Sequence, residues 1–265
     1  MISDADDATG GRPMNGHSQR TYVVSGAASG IGKALSLLLL GEGASVIALD
    51  RDATALDDLG AEGGSRPGTL LSSALDVSDE AAVAEAIEAG VAQLGPLDGV
   101  ATCAGIFVGG DFAPIADIEL DQFLSVLTVN LVGTFLVAKH SLRHLRRPGG
   151  SVVTVASTAA LRGHGRGAGY TASKGGVVAF TRLVSVQYGS EGIRANCVCP
   201  GGTNTPMTMG AFTTPEGLEA VRRTYPLQRA GEAHEPATVI AFLLSDAASF
   251  VTGTTIPVDG GVVIA

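Results

Sequence analysis

Seven short runs of the chain are apolar at nearly every position: 21–25 (TYVVS), 45–50 (SVIALD), 69–75, 98–103 (DGVATC), 151–156 (SVVTVA), 193–198 and 254–258. A strand with alternating polarity wets one face. A strand that is apolar throughout is buried on both, as the strands of a parallel sheet are. Longer stretches with helical periodicity separate these runs, at 31–42, 52–59, 79–93, 119–146, 170–189 and 235–245. Strict alternation of strand and helix predicts one α/β domain, a doubly wound seven-stranded parallel sheet with helices on both faces. No repeat of 20–50 residues and no Pro/Ser-rich linker divides the chain. The domain is expected over residues 20–265. Residues 1–19, acidic and without the apolar segment of a secretory signal, are expected to form a disordered leader.

Composition narrows the partners. With 265 residues and 45 % hydrophobic content the chain can bury a large core. The net charge is −9 and no basic run exceeds Arg146-Arg147, which argues against nucleic acid or an anionic membrane. The longest strongly apolar window, residues 34–40 (ALSLLLL), is far short of a bilayer span. Cys103, Cys197 and Cys199 make no disulfide framework and read as small buried thiols in a reduced, cytoplasmic setting. Cys197-x-Cys199 lies in a strand-like run and is expected to place one thiol on each side of the sheet.

After the first strand comes SGAASGIG, with glycines at 26, 30 and 32, and then a helix. Glycine permits positive φ and close backbone approach, and a helix N-terminus offers free N–H groups, so a pyrophosphate fits here. The spacing is not the usual G-x-G-x-x-G. The second strand ends in Asp50, 18 residues beyond Gly32. A carboxylate there accepts from adenosine ribose hydroxyls and repels a 2′-phosphate, which favours NAD over NADP. Arg51 is either a solvated charge or a partner for a 2′-phosphate. Asp76-Val77, at the end of the third strand, would hold the adenine amino group or cap the 79–93 helix, for which Ser78 is an equal candidate.

The fifth strand runs into Ser157, Tyr170 follows 13 residues later, and Lys174 lies four beyond that on the same helix face. A free phenol titrates near 10, so Tyr170 needs neighbouring positive charge to act as a base. Lys174 and a cationic nicotinamide together would lower its pKa by ~3 units, or roughly 4 kcal/mol. Ser157 would hold a substrate oxygen as charge develops. Asn130, within the apolar LTVNLVG, is a poor choice for a helix interior and needs a partner, which a water bridge to Lys174 would supply.

Taken in order, Gly26-x-x-x-Gly30-Ile31-Gly32, Asp76-Val77, Ala104-Gly105, Asn130, Ser157, Tyr170-x-x-x-Lys174, Pro200-Gly201 and Asp259-Gly260-Gly261 resemble the short-chain dehydrogenase/reductase family, over nearly the whole chain. The resemblance implies a Rossmann fold and reversible hydride transfer between a nicotinamide cofactor and a carbonyl/alcohol carbon. It implies Tyr170 as acid/base, Lys174 on the nicotinamide ribose, Ser157 orienting substrate and Asn130 holding a proton-relay water. Thr205 falls where the family holds the carboxamide, and Ser29 and Thr203 join the expected cofactor contacts. One departure is Thr102-Cys103 where the family carries Asn-Asn, which removes an Asn that braces this turn.

Two other readings compete. An NADPH-dependent 3-oxoacyl-thioester reductase suits the same fold, but Asp50 argues against it. A non-catalytic dinucleotide sensor would have no reason to keep Asn130, Ser157, Tyr170 and Lys174 together. No metal is expected: His140 and His144 have ligand spacing but no third ligand, and read as a solvated helix face. His164 and Arg166 either touch substrate or lie on a surface loop. Ile106, Phe107, Val108, Leu161 and a lid over 203–225 carrying Met207, Met209 and Phe212 point to a medium-sized, mostly apolar or cyclic secondary alcohol or ketone. The 119–146 and 170–189 helices are apolar nearly all round, which predicts a homotetramer with 222 symmetry. The tail at 262–265 is expected to dock on a neighbour.

Overall fold

The computed structural model describes residues 16–163, 167–208, 210–212 and 214–265. All seven expected strands form: β1 (Thr21–Ser25), β2 (Ser45–Asp50), β3 (Thr69–Ala74), β4 (Gly99–Thr102), β5 (Ser151–Val155), β6 (Arg194–Pro200) and, after two short ones, β9 (Thr255–Val258). They pair in the order β3-β2-β1-β4-β5-β6-β9, every neighbour parallel. The short strands β7 (Thr203–Asn204) and β8 (Gly231–Glu232) pair separately. Each parallel crossover needs a helix's length of chain. These are α1 (Gly30–Gly41), α2 (Ala53–Gly63), α3 (Glu80–Leu94), α4 (Leu120–Leu127), α5 (Gly133–Leu142), α6 (Ala168–Tyr188), α7 (Pro215–Thr224) and α8 (His234–Leu244). The order reverses between β3 and β4, so a crevice opens beyond the carboxyl ends of β1 and β4.

Alternate strand residues feed two cores. Tyr22, Val24, Val46, Ala48, Val153 and Val198 meet Leu35 and Leu39 of α1 and Ile240 of α8. Val23, Ile47, Val100, Val152 and Ala195 meet Ile87 of α3, Val137 of α5 and Val184 of α6. Cys197 and Cys199 pack in one cluster with Val177 and Val178, so both face α6. The expectation of one thiol per side fails because residues two apart on a strand share a face.

Other differences have local causes. The expected 119–146 helix ends at Leu142 and is interrupted by a π turn at Thr128–Val132, centred on Asn130. Leu120–Leu142 is long and apolar enough to cross a membrane by length and composition alone. Its Val126, Asn130, Leu136 and Val137 are buried in the fold instead. α7 is absent from the expected elements because its sequence is mostly polar, although Thr214 caps it and Pro215 opens it. The leader ends earlier than expected: His17 is only 3 % exposed and its Nδ1 lies 2.7 Å from the Tyr22 hydroxyl. Residues 1–15 lie outside the described residues. The tail docks in part on its own chain. Val262 is buried and its carbonyl accepts from Arg162 Nη1 at 2.7 Å, while Ile264 is exposed. His140 is buried with Nε2 3.2 Å from Glu80 Oε1, so that side of the helix is packed rather than solvated. Among the described residues no cluster could hold a metal ion.

Candidate active site

The Gly-rich turn lies directly against the exit of β4. Gly26 has φ +65°, and a Cβ on it would fall 2.7 Å from the Ala104 nitrogen. A Cβ on Gly32 would fall 2.1 Å from the Gly26 carbonyl oxygen. No side chain fits at either position, so strand, turn and helix close into a bare-backbone cradle. Ser29 precedes α1 without making a side-chain cap, which leaves the first N–H groups of α1 facing the crevice. This cradle fits a pyrophosphate.

Asp50 is held ready at the tip of β2. Its Oδ2 accepts from Ala28 N at 3.0 Å and its Oδ1 from Asp52 N at 3.2 Å. Arg51 beside it is exposed on the crevice wall. Asp76 accepts from the Ser78 backbone N at 2.8 Å and from Ser78 Oγ at 2.7 Å. These bonds hold its carboxyl below the usual carboxylate range. Neither Asp76 nor Ser78 caps α3: Asp79 does, accepting from Ala81 N and Ala82 N.

Ser157 follows β5 and caps the short turn after it, its Oγ accepting from Ala159 N at 3.2 Å. Tyr170 and Lys174 stand on successive turns of α6. Lys174 is buried and its Nζ donates to the Val155 carbonyl at 2.9 Å. Burial brings its ammonium down to about 8. That Nζ lies 5.7 Å from the centre of the Tyr170 ring. Burial pushes the Tyr170 phenol above its ordinary value, and a hydrogen bond with Ser157 opposes the rise. The expected lowering is therefore not a property of the chain by itself. Desolvation of the phenolate outweighs the help its neighbours give.

Asn130 stands behind the crevice wall rather than in it. Fully buried, it accepts from Ile106 N through Oδ1 at 2.7 Å. Its Nδ2 donates to the Ile106 carbonyl at 3.0 Å and to Ser173 Oγ at 3.2 Å. These groups give the side chain partners within the protein. A Cβ on Gly105 would come 3.3 Å from both Asn130 Oδ1 and Lys174 Nζ, so there is little spare room at this corner.

One crevice of about 570 Å³ gathers the rest. Gly26, Ser29, Gly30, Ile31, Gly32, Asp50, Arg51, Asp76, Val77, Ala104, Gly105, Pro200, Gly201, Thr203 and Thr205 line its length, with Ser157, Tyr170 and Lys174 at one end. The volume lies in the range of small-molecule and cofactor sites, about 300–1,000 Å³. Ile106, Phe107, Val108 and Met207 wall the reacting end. Leu161 and Phe212 do not: Leu161 packs beside Ala156 and Val177, and Phe212 covers Gly202. Met209, His164 and Arg166 lie outside the described residues. Burial pushes the Cys103 thiol up to about 12, and the side chain sits partly buried between the core and the crevice wall. Asp111, whose carboxylate accepts from Gly169 N and Tyr170 N at the start of α6, was not legible in the sequence. The signal was indirect: the GRGAG preceding Tyr170 offers α6 no capping side chain of its own.

A family model described as enoyl-(acyl carrier protein) reductase matches residues 26–263. The solved structure of a short-chain type dehydrogenase/reductase from Mycobacterium ulcerans superposes with a TM-score of 0.90 at 33 % identity, covering 94 % of this chain and 91 % of that one. The chain belongs to the short-chain dehydrogenase/reductase family. It is similar to the levodione reductase of Leifsonia aquatica, 37 % identical over 94 % of this chain and 96 % of that one. The cis-4-hydroxycyclohexanecarboxylate dehydrogenase of Sinomonas cyclohexanicum is 38 % identical over 92 % and 96 %. A 3-oxoacyl-acyl-carrier-protein reductase of Thermotoga maritima is 37 % identical over 92 % and 98 %. As a member of this family the protein is an oxidoreductase acting on CH–OH groups, and it binds a nicotinamide dinucleotide.

Proposed function

We propose that this short-chain dehydrogenase/reductase uses NAD(H) to interconvert a secondary alcohol and a ketone on a medium-sized, mostly apolar or cyclic substrate. The observation that carries the reading is the meeting of Ser157, Tyr170 and Lys174 at the apolar end of the crevice that begins at the glycine turn. The cyclic substrates named for two relatives agree with it.

The glycine turn and the start of α1 would hold the pyrophosphate, Asp50 the adenosine ribose and Asp76-Val77 the adenine. Lys174 would hold the nicotinamide ribose and Thr205 the carboxamide, with Pro200, Gly201 and Thr203 beside it. Once bound, the nicotinamide supplies the hydride acceptor or donor. The chain supplies the rest. Tyr170 takes the proton from the substrate hydroxyl during oxidation and returns it during reduction. Ser157 donates a hydrogen bond to the substrate oxygen. Lys174, with an ammonium near 8, remains mostly charged at neutral pH and favours the phenolate. Asn130 would hold the proton-relay water: its Nδ2 hydrogens are spent on Ile106 and Ser173, but Oδ1 accepts only from Ile106 N and keeps a second lone pair.

Arg51 favours a second reading, the NADPH-dependent thioester reductase, which the Thermotoga relative exemplifies. Asp50 weighs against it because its carboxylate is already oriented on the crevice wall. The homotetramer remains our reading of the surface. Val132, Phe135, Leu183 and Val186 expose apolar area along α5 and α6, and Phe242, Phe250 and Ile264 form a second exposed set. The free cysteines suit a reduced cytoplasmic setting. A panel of cyclic and linear secondary alcohols, followed by NADH absorbance, tests the reading. Tyr170→Phe should lower kcat at least ~100-fold and leave NADH binding nearly unchanged. Full activity in that variant would overturn the assigned chemistry, and nucleotide binding without turnover on any alcohol would favour a sensor.

A further inference from the structure

The helix carrying Tyr170 and Lys174 has no cap of its own. Its N-cap is Gly167, which has φ +78° and no side chain. The acceptors come from Asp111, 58 residues before Gly169 in the chain and completely buried. Asp111 Oδ1 accepts from Gly169 N at 2.7 Å, and Oδ2 accepts from the N–H of Tyr170 itself at 2.9 Å. Its main-chain oxygen accepts from Gly167 N at 2.8 Å. A carboxylate at this end of a helix is favoured by the peptide dipoles, and two charge-assisted bonds fix the register of the first turn.

The same segment grips the Tyr170 ring. Phe107 meets it edge-on, with ring centres 4.8 Å apart. A Cβ on Gly167 would lie 2.9 Å from Phe107 Cε2, so the two strips of chain are in direct contact. At its other end the segment is tied to Asn130 through both polar groups of Ile106. Residues 106–108 also wall the crevice. One short stretch therefore touches the substrate space, the backbone of Tyr170 and the ring of Tyr170.

We propose that Asp111 is a positioning residue for Tyr170, coupling the substrate-lining segment 106–112 to the placement of the acid/base phenol. The inference rests on the role given to Tyr170 above. Shifting a reacting group by about 1 Å costs on the order of 100-fold in rate. Asp111→Ala should lower kcat at least tenfold while the NADH dissociation constant, read by fluorescence, stays within twofold. Asp111→Asn keeps one acceptor oxygen and should fall between the two. Asp98→Asn is the control. Asp98 is a buried carboxylate at the opposite end of the sheet that accepts from Thr21 N at 2.9 Å, so its loss should lower the melting temperature and leave kcat unchanged. If Asp111→Ala does not fold, Asp111→Asn decides, with a threefold or larger fall in kcat at unchanged NADH affinity. A kcat within twofold of wild type in the folded Asp111 variant, or equal losses in the Asp98 and Asp111 variants, would overturn the proposal. The Tyr170→Phe result separates this failure from failure of the underlying reading.

Discussion

Asn130→Ala offers the most direct measure of how the reacting end is held. The substitution removes three hydrogen bonds from a fully buried position. Two of them serve the N–H and C=O of Ile106, on a segment that the crevice needs in place. Leaving a buried backbone group without a partner costs about 1–3 kcal/mol. Ile106 is only half-buried beside the crevice, so two such groups give at most about 2–6 kcal/mol. Ser173 adds little, because its hydroxyl keeps its 2.8 Å bond to the Tyr170 carbonyl. For a chain of this size each kcal/mol moves the melting temperature by about 2–4 °C, so a central value near 4 kcal/mol predicts a fall of roughly 8–16 °C. Water entering the vacated space would bring the result toward the lower end. Scanning calorimetry at fixed protein concentration measures it, and urea midpoints give an independent value. A fall of less than about 2 °C would show that the Ile106 groups find partners without Asn130, and would refute this account of the segment.

Three further outcomes are expected. NAD should exceed NADP at least tenfold in kcat/KM, which needs only ~1.4 kcal/mol of repulsion at Asp50; equal rates would mean that Arg51 dominates. Val186, 82 % exposed on α6, should tolerate no charge if that face is covered in the assembly. Val186→Glu should halve the mass seen by light scattering, and an unchanged mass would remove α6 from the interface. Stability should fall as pH drops from about 6.5 to about 4. Burial holds folded His17 near 4, so the unfolded chain binds this proton first, with a total loss of roughly 3 kcal/mol. His17→Gln should flatten that limb of the urea midpoints, and an identical slope in the variant would clear His17 of the effect.

The strands were legible because a parallel sheet buries both faces, and that leaves an unbroken apolar run in the sequence. α7 was hidden because its ten residues carry few apolar positions among charged ones and fall inside the stretch read as a lid, although Thr214 and Pro215 mark its start. The site residues were legible as a set because their order and spacing match a family, yet their partners were not. The partners of Asn130 come from Ile106 and Ser173, and the cap of Tyr170 comes from Asp111. Neither pairing leaves a local trace: Ile106 and Asn130 lie 24 residues apart within one crossover, and Asp111 and Tyr170 belong to different ones. The rise of the Tyr170 phenol in the chain alone was not legible for a related reason. A sequence shows which charges stand nearby, but the depth of burial that opposes them exists only after folding.

The two bonds on Asp50 bear on how such an enzyme could change its nucleotide over evolutionary time. One carboxylate oxygen is spent on the backbone of the glycine turn, through Ala28, and the other on the chain leaving β2, through Asp52. On the reading proposed above, the group that would tell ribose from its 2′-phosphate is thus also a tie holding the glycine turn in shape. Exchanging it for a neutral residue releases the selectivity and slackens the turn together. A lineage moving from one nucleotide to the other would pass through a form that grips both poorly, unless a change in residues 25–29 came first. Adaptation at position 50 is therefore expected to depend on the order of mutations, with the same substitution harmful in this turn and beneficial in one already braced by other means.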